Sequence, residues 1–156
     1  MTEPIIGYKA YNKGLTNQFG EKFEIGKEYV SNSKIKWKKQ GYHFAERLED
    51  VLRYYNGFDE IDICLVMGYG DIHKDYDSYY DYETIVSSHL KIIRILSREE
   101  IITYAQTLSD QRLCRFVSGY KLTEDEIELL TTGRSELVQK YVRYYQYGEE
   151  DVFRRK

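Results

Sequence analysis

The hydrophobic pattern of this chain changes its period near Ser97, and that change constrains the fold more than any other feature. Before it, the apolar runs at residues 61–67 and 90–96 are β-branched and have the length of strands. After it, apolar residues recur at helical spacing. The sequence therefore predicts an α+β protein, with a strand-rich module over 1–96 that contains one helix and an all-helical extension over 97–156 packed on it.

Two helix starts in the extension are marked by capping boxes, in which a hydroxyl residue is followed three positions later by a glutamate. Ser97 stands before Glu100 in this way, and Thr123 stands before Glu126. Asp110 can cap a further helix, because aspartate accepts hydrogen bonds from the unpaired backbone N–H groups of a first turn.

A fourth helix is expected after Gly133, which breaks the chain. Its apolar stripe is predicted to consist of Leu137, Val138, Tyr141, Val142 and Tyr145. One apolar seam is expected to join the helices to the sheet module, and its predicted members are Leu113, Phe116, Ile127, Leu130, Leu137 and Tyr141.

The helical part repeats itself. Residues 115–117 resemble 140–142 at an offset of 25, and residues 96–101 resemble 122–127 at an offset of 26. Short helices bury their stripes by stacking on neighbours, so this pattern favours repeated helix pairs. The alternative is that capped amphipathic helices simply resemble one another.

The first 96 residues are predicted to be mostly strand. Residues 5–11 and 41–44 have strand character, and 22–30 is predicted to form two short strands that turn at Gly26. Residues 46–55 carry the stripe of one helix, formed by Leu48, Val51, Leu52 and Tyr55, and this helix is predicted to stop at residues 56 and 57. The acidic, tyrosine-rich segment 68–88 has no apolar period, and we expect a mostly exposed excursion, either a long hairpin or a mobile loop.

Charge and composition argue against several classes of protein. With 23 basic and 26 acidic residues the net charge is -3, so a nucleic-acid partner is not indicated. No apolar run approaches the ~18 residues of a membrane span, and the first residues lack a signal-peptide pattern. Cys64 and Cys114 stand among apolar residues without metal spacing. These features predict a cytoplasmic protein.

His43 is the most provocative candidate for chemistry. It ends a glycine-led strand, with Glu46 three residues later and Lys9 on the first strand. Such a histidine can carry a proton or orient a ligand hydroxyl, but it can equally be held in the sheet by a hydrogen bond. No second histidine stands at ligand spacing, and no cofactor motif is present, so the sequence predicts neither a metal nor a cofactor.

The final helix is the predicted partner surface. Arg143, Tyr144 and Tyr147 are expected on its outer face, close to Phe153 in the tail, and the alternative is that these tyrosines fold back on the sheet. Arginine and tyrosine are the residues that most often anchor interfaces. A non-enzymatic protein-interaction module, binding a protein partner or a second copy of itself, is therefore the leading functional hypothesis.

Several motifs in the first module resemble an uncharacterised domain family common in bacteriophages and Firmicutes. The resemblance covers about residues 5–100 and rests on five stretches: Tyr8-Lys9-Ala10-Tyr11-Asn12-Lys13-Gly14-Leu15, Phe23-Glu24-Ile25-Gly26-Lys27-Glu28-Tyr29, Gly41-Tyr42-His43-Phe44-Ala45-Glu46, Asp50-Val51-Leu52-Arg53-Tyr54-Tyr55, and Lys91-Ile92-Ile93-Arg94-Ile95-Leu96. It implies no established activity. This chain departs from the usual pattern in its longer acidic tyrosine-rich segment.

A weaker resemblance is to the ADP-ribosyltransferase-like fold. It would place Lys9 and His43 against a nucleotide, with a late acid stabilising the oxocarbenium ion that develops in such a transfer. A nucleotide-using transferase is therefore the alternative functional hypothesis.

Overall fold

The computed structural model describes residues 3–17, 19–31, 41–55 and 60–148. The α+β class is confirmed, since an antiparallel sheet precedes four helices. The residues fall into two compact units. The first takes the chain up to Val51 together with Ile61–Leu96, and the second takes the short segment from Leu52 with the helices that follow Leu96.

The sheet of the first unit is built around one long hairpin. Its five described strands are β1 Ile5–Asn12, β2 Glu28–Val30, β3 Tyr42–Phe44, β4 Ile61–Asp77 and β5 Tyr82–Ile95. The order is β1-β4-β5-β2, and β3 pairs with β5 beside β2. The pairings between these strands are antiparallel. Neighbouring residues such as Ile63 and Cys64 of β4 are both buried, so the central strands are covered on both faces.

Segment 68–88 is part of the long hairpin, which was one of the two predicted alternatives. The predicted central strands at 61–67 and 90–96 are present, but they continue outward as β4 and β5. The expectation that this segment is mostly exposed is wrong for Ile85 and Val86, which are fully buried. The register shifts between Tyr69 and Ile72, a bulge that breaks the alternation by which a strand is recognised in sequence.

The main core cluster of the first unit includes Tyr11, Phe23 and Cys64. The ring of Phe23 lies 5.1 Å from that of Tyr11 and 4.9 Å from that of Tyr29. Only one strand forms within 22–30, although Gly26 does turn the chain at a φ of 81°. The expected second strand is absent from the described residues, where Lys22 and Ile25 form only isolated bridges, to Thr16 and to Ile92.

The predicted helix over 46–55 is a 3₁₀ helix, Leu48–Tyr54. Leu48 and Leu52 are buried as the stripe predicted. Backbone bonds span three residues, as from Tyr55 N–H to the carbonyl of Leu52 at 2.9 Å, which is the usual geometry of such short helices. The predicted stop at residues 56 and 57 lies outside the described residues.

The second unit contains α1 Arg98–Gln106, α2 Asp110–Gly119, α3 Glu124–Thr131 and α4 Glu136–Tyr147. Both capping boxes are confirmed. The predicted cap at Asp110 is wrong. Ser109 is the N-cap, and its hydroxyl accepts from the N–H of Arg112, so Asp110 becomes the first helical residue.

The four helices form two repeated pairs. The N-caps recur 26 residues apart, from Ser97 to Thr123 and from Ser109 to Ser135. Helix α1 packs on α3, and α2 packs on α4, so equivalent helices stack on each other. This stacking is the arrangement in which short amphipathic helices share one core.

The predicted burial of the seam residues is confirmed on α2 and α3 and wrong on α4. Leu113, Phe116, Ile127 and Leu130 are buried, whereas Leu137 and Tyr141 are exposed. The inward side of α4 is formed by Val138, Val142 and Gln146. A polar residue thus completes the buried stripe of α4, and the apolar residues beside it turn outward.

Candidate functional site

Strand β1 places Lys9 on the core face of the sheet, directly opposite Cys64 of β4. The ammonium of Lys9 donates to the backbone carbonyl of His43 at 2.6 Å and lies 5.4 Å from the centroid of the Tyr11 ring. Strand β3 reaches this position because Tyr8 and Ala45 bridge the two strands. The structure therefore brings Lys9 and His43 together through the backbone carbonyl of His43.

Burial sets the electrostatics of this pair. It lowers the pKa of Lys9 to about 8, and it lowers the pKa of His43, with the Lys9 charge acting in the same direction. Burial also raises the pKa of the Cys64 thiol to about 12. At neutral pH the thiol is therefore protonated, and Lys9 is the cation of the group.

Glu46 does not join this pair in the described contacts. Its carboxylate accepts from the ammonium of Lys74 on β4 at 2.6 Å, and its N–H donates to Glu83 at 3.4 Å. The bond to Glu46 is the main cause that raises the pKa of Lys74. Of the three catalytic candidates, two are neighbours, and the third is engaged with the long hairpin.

The stability of the protein should report the burial of Lys9. The pKa falls from 10.5 to about 8 on folding, so between these values the unfolded chain holds more protons at Lys9 than the folded chain does. The free energy of unfolding of the wild type, relative to Lys9→Met, is therefore expected to rise by about 1 kcal/mol across this range. Urea unfolding of both proteins from pH 7 to 11 measures it. A pH-independent difference would contradict the prediction.

On α4, two of the three predicted partner-binding residues are engaged within the second unit. The guanidinium of Arg143 and the phenol of Tyr147 both donate to the carboxylate of Glu124 at the start of α3. Tyr144 is exposed, and its ring lies edge-on to Tyr145 at 5.4 Å. Phe153 lies outside the described residues. Tyr144 alone of the three is thus placed at an open surface.

The exposed face of α4 also includes residues that the sequence analysis placed in the core. We call this face the α4 stripe. Its members are between 39% and 61% exposed, and they are Leu137, Tyr141, Tyr144 and Tyr145. The sequence also contains a second possible stripe, Val138, Val142 and Gln146, which is shifted by one residue from Leu137, Tyr141 and Tyr145. This stripe could have indicated which side of α4 is buried.

Two further features are absent from the described residues. These residues hold no group of three histidine, cysteine, aspartate or glutamate side chains that could bind a metal ion. No helix among them is long and apolar enough to cross a membrane.

Comparison with known proteins places the first unit in a family. The family model for a domain of unknown function, DUF7666, matches residues 5–104. A search of curated proteins and a search of solved structures each found no match. The matched stretch is more than half of the chain and contains all five described strands with Lys9, His43 and Glu46, whereas α2, α3 and α4 lie beyond it. The chain therefore belongs to the DUF7666 family.

Proposed function

We propose that this protein is a non-enzymatic protein-interaction module whose partner docks on the α4 stripe. The observation that carries the proposal is the exposure of one leucine and three tyrosines along one face of a single helix. A contiguous exposed apolar face of this kind usually marks an interaction site, and tyrosine is among the residues enriched at the centre of interfaces.

The spacing of the α4 stripe favours a second copy of the chain as the partner. Leu137 and Tyr145 each stand four residues from Tyr141, so the row is symmetric about Tyr141. Two such helices packed antiparallel would place the Tyr141 rings together and each Leu137 against the other copy's Tyr145. A two-fold interface requires this kind of self-complementary patch.

Sedimentation equilibrium over a range of concentrations tests the proposal. The wild type is expected to dimerise, and the double variant Leu137→Ser with Tyr141→Ser should dimerise at least about tenfold more weakly, as for the loss of interface anchors. Both residues are exposed, so the melting temperature should change little. A wild type that stays monomeric throughout would contradict a second copy as the partner.

The matched control is Tyr79→Ser, which removes an exposed tyrosine from the β4–β5 turn of the first unit. It should leave the dimerisation constant unchanged. Equal weakening by the control and by the double variant would show that the α4 stripe is not the surface responsible.

A nucleotide-using transferase is a second candidate, favoured by the adjacency of Lys9 and His43. A thermal-shift panel of nucleotides that includes NAD separates the two functions. A nucleotide present at 100 times its dissociation constant would stabilise the protein by about 2.7 kcal/mol, whereas an interaction module should show no shift.

The proposal also includes the cellular location and the origin of the protein. A cytoplasmic location is supported by the free thiols of Cys64 and Cys114, since unpaired cysteines are usual in reducing compartments. An origin in a bacteriophage or in Firmicutes is supported by the sequence motifs of the first module.

A further inference from the structure

The β4–β5 turn carries a group of exposed tyrosines that the α4 stripe does not explain. We call residues 75–83 the hairpin tip. Tyr79 is 86% exposed, and Tyr76 and Tyr80 are exposed beside it. The rings of Tyr79 and Tyr80 lie 4.8 Å apart, and those of Tyr80 and Tyr82 lie 6.3 Å apart. Three rings thus form one continuous aromatic strip on the surface.

The tip is ordered by its own hydrogen bonds. One carboxylate oxygen of Asp77 accepts from the N–H groups of Tyr79 and Tyr80 at 3.0 and 3.1 Å. The phenol of Tyr76 donates to Asp81, whose backbone is in the left-handed region at a φ of 52°. These bonds hold the tyrosine strip in place before any partner arrives, which reduces the entropy lost on binding.

The tip is also anchored to the rest of the first unit. The Glu83 N–H donates to the buried carboxylate of Asp50 at 3.1 Å. The guanidinium of Arg47 lies 4.0 Å from Asp81. The strip therefore stands on a fixed base, and a guanidinium is already accommodated at its edge.

The charge of the hairpin tip indicates which kind of partner it can bind. Residues 75–83 contain four carboxylates and no lysine or arginine: Asp75, Asp77, Asp81 and Glu83. Such a surface repels nucleic-acid phosphates and attracts cations. Among cations, a guanidinium stacks on the faces of aromatic rings, whereas an ammonium does so less well. We infer that the hairpin tip binds arginine-bearing segments of a partner protein.

Fluorescence anisotropy with two labelled peptides of equal length, one of arginine and one of lysine, tests the inference. The wild type is expected to bind the arginine peptide about tenfold more tightly than the lysine peptide. The double variant Tyr79→Ser with Tyr80→Ser should abolish this difference. Tyr79→Phe with Tyr80→Phe should keep it, because the rings remain available for stacking.

Two further variants separate this surface from its alternatives. Asp75→Asn with Asp77→Asn should weaken both peptides equally, since the amide oxygen at position 77 can still accept from the turn. Leu137→Ser with Tyr141→Ser should bind both peptides as the wild type does, so a failure of the α4 proposal is distinguishable from a failure here. Equal affinity for the two peptides, or a difference that survives the serine variant, would overturn the inference.

Discussion

Replacing Gln146 with leucine is expected to lower the free energy of unfolding by about 3 kcal/mol, because this side chain satisfies three buried backbone groups. Its amide nitrogen donates to the carbonyls of Val117 and Tyr120, each at 2.6 Å. Its amide oxygen accepts from the N–H of Leu122 at 2.8 Å. Leucine matches the size of glutamine but leaves all three groups without this partner.

Gln139 on the same helix provides the control for this prediction. It is half-buried and donates once, to the carbonyl of Arg134 at 3.1 Å. Gln139→Leu should therefore cost less than about 1 kcal/mol. Urea unfolding followed by helical circular dichroism compares the two variants, and similar losses would show that the Gln146 bonds do not determine how α4 packs.

Replacing Gly7 with alanine is expected to cost about 2 kcal/mol, with a different cause. A Cβ atom at this position would lie 2.5 Å from the carbonyl oxygen of Ala45 and 2.9 Å from the ring of Phe44. That carbonyl already accepts from the Tyr8 N–H at 2.6 Å, so β1 and β3 must separate to admit the methyl group. The neighbouring bond from Lys9 to His43 should weaken as well.

Gly20→Ala distinguishes this clash from a general effect of losing glycine. Gly20 has a φ of 83° and no atom within 4 Å of an added Cβ, so alanine there meets only the cost of the left-handed backbone, about 1 kcal/mol. Chemical unfolding of the two variants checks the prediction. A smaller loss for Gly7→Ala than for Gly20→Ala would mean that β1 and β3 can move apart freely.

The candidate site was only partly predictable from sequence. The spacing of residues 41–46 drew attention to His43, but its proximity to Lys9 depends on the bridge between Tyr8 of β1 and Ala45. The ion pair of Glu46 with Lys74 could not be predicted from sequence, because Lys74 is 28 residues distant and comes close only through the long hairpin. The sequence also failed to predict the contacts of Asp62 on β4, whose carboxylate accepts from the N–H groups of Gly14 and Leu15. These residues are distant in sequence and come close only because β1 pairs with β4.

Sequence by itself determined the α+β class, the change to helix at Ser97 and both capping boxes, because these depend on neighbours within a few residues. It also predicted the repeated helix pairs, but the offset of 25 between α2 and α4 is wrong, because their N-caps Ser109 and Ser135 stand 26 residues apart. Only the tertiary structure decided which side of α4 is buried, since apolar residues occur on both sides and the bonds of Gln146 to α2 select one. It likewise decided that 68–88 forms a paired hairpin. A bulge hides the alternation of apolar and polar residues in the sequence, so the strands are recognised only from the pairing of β4 with β5.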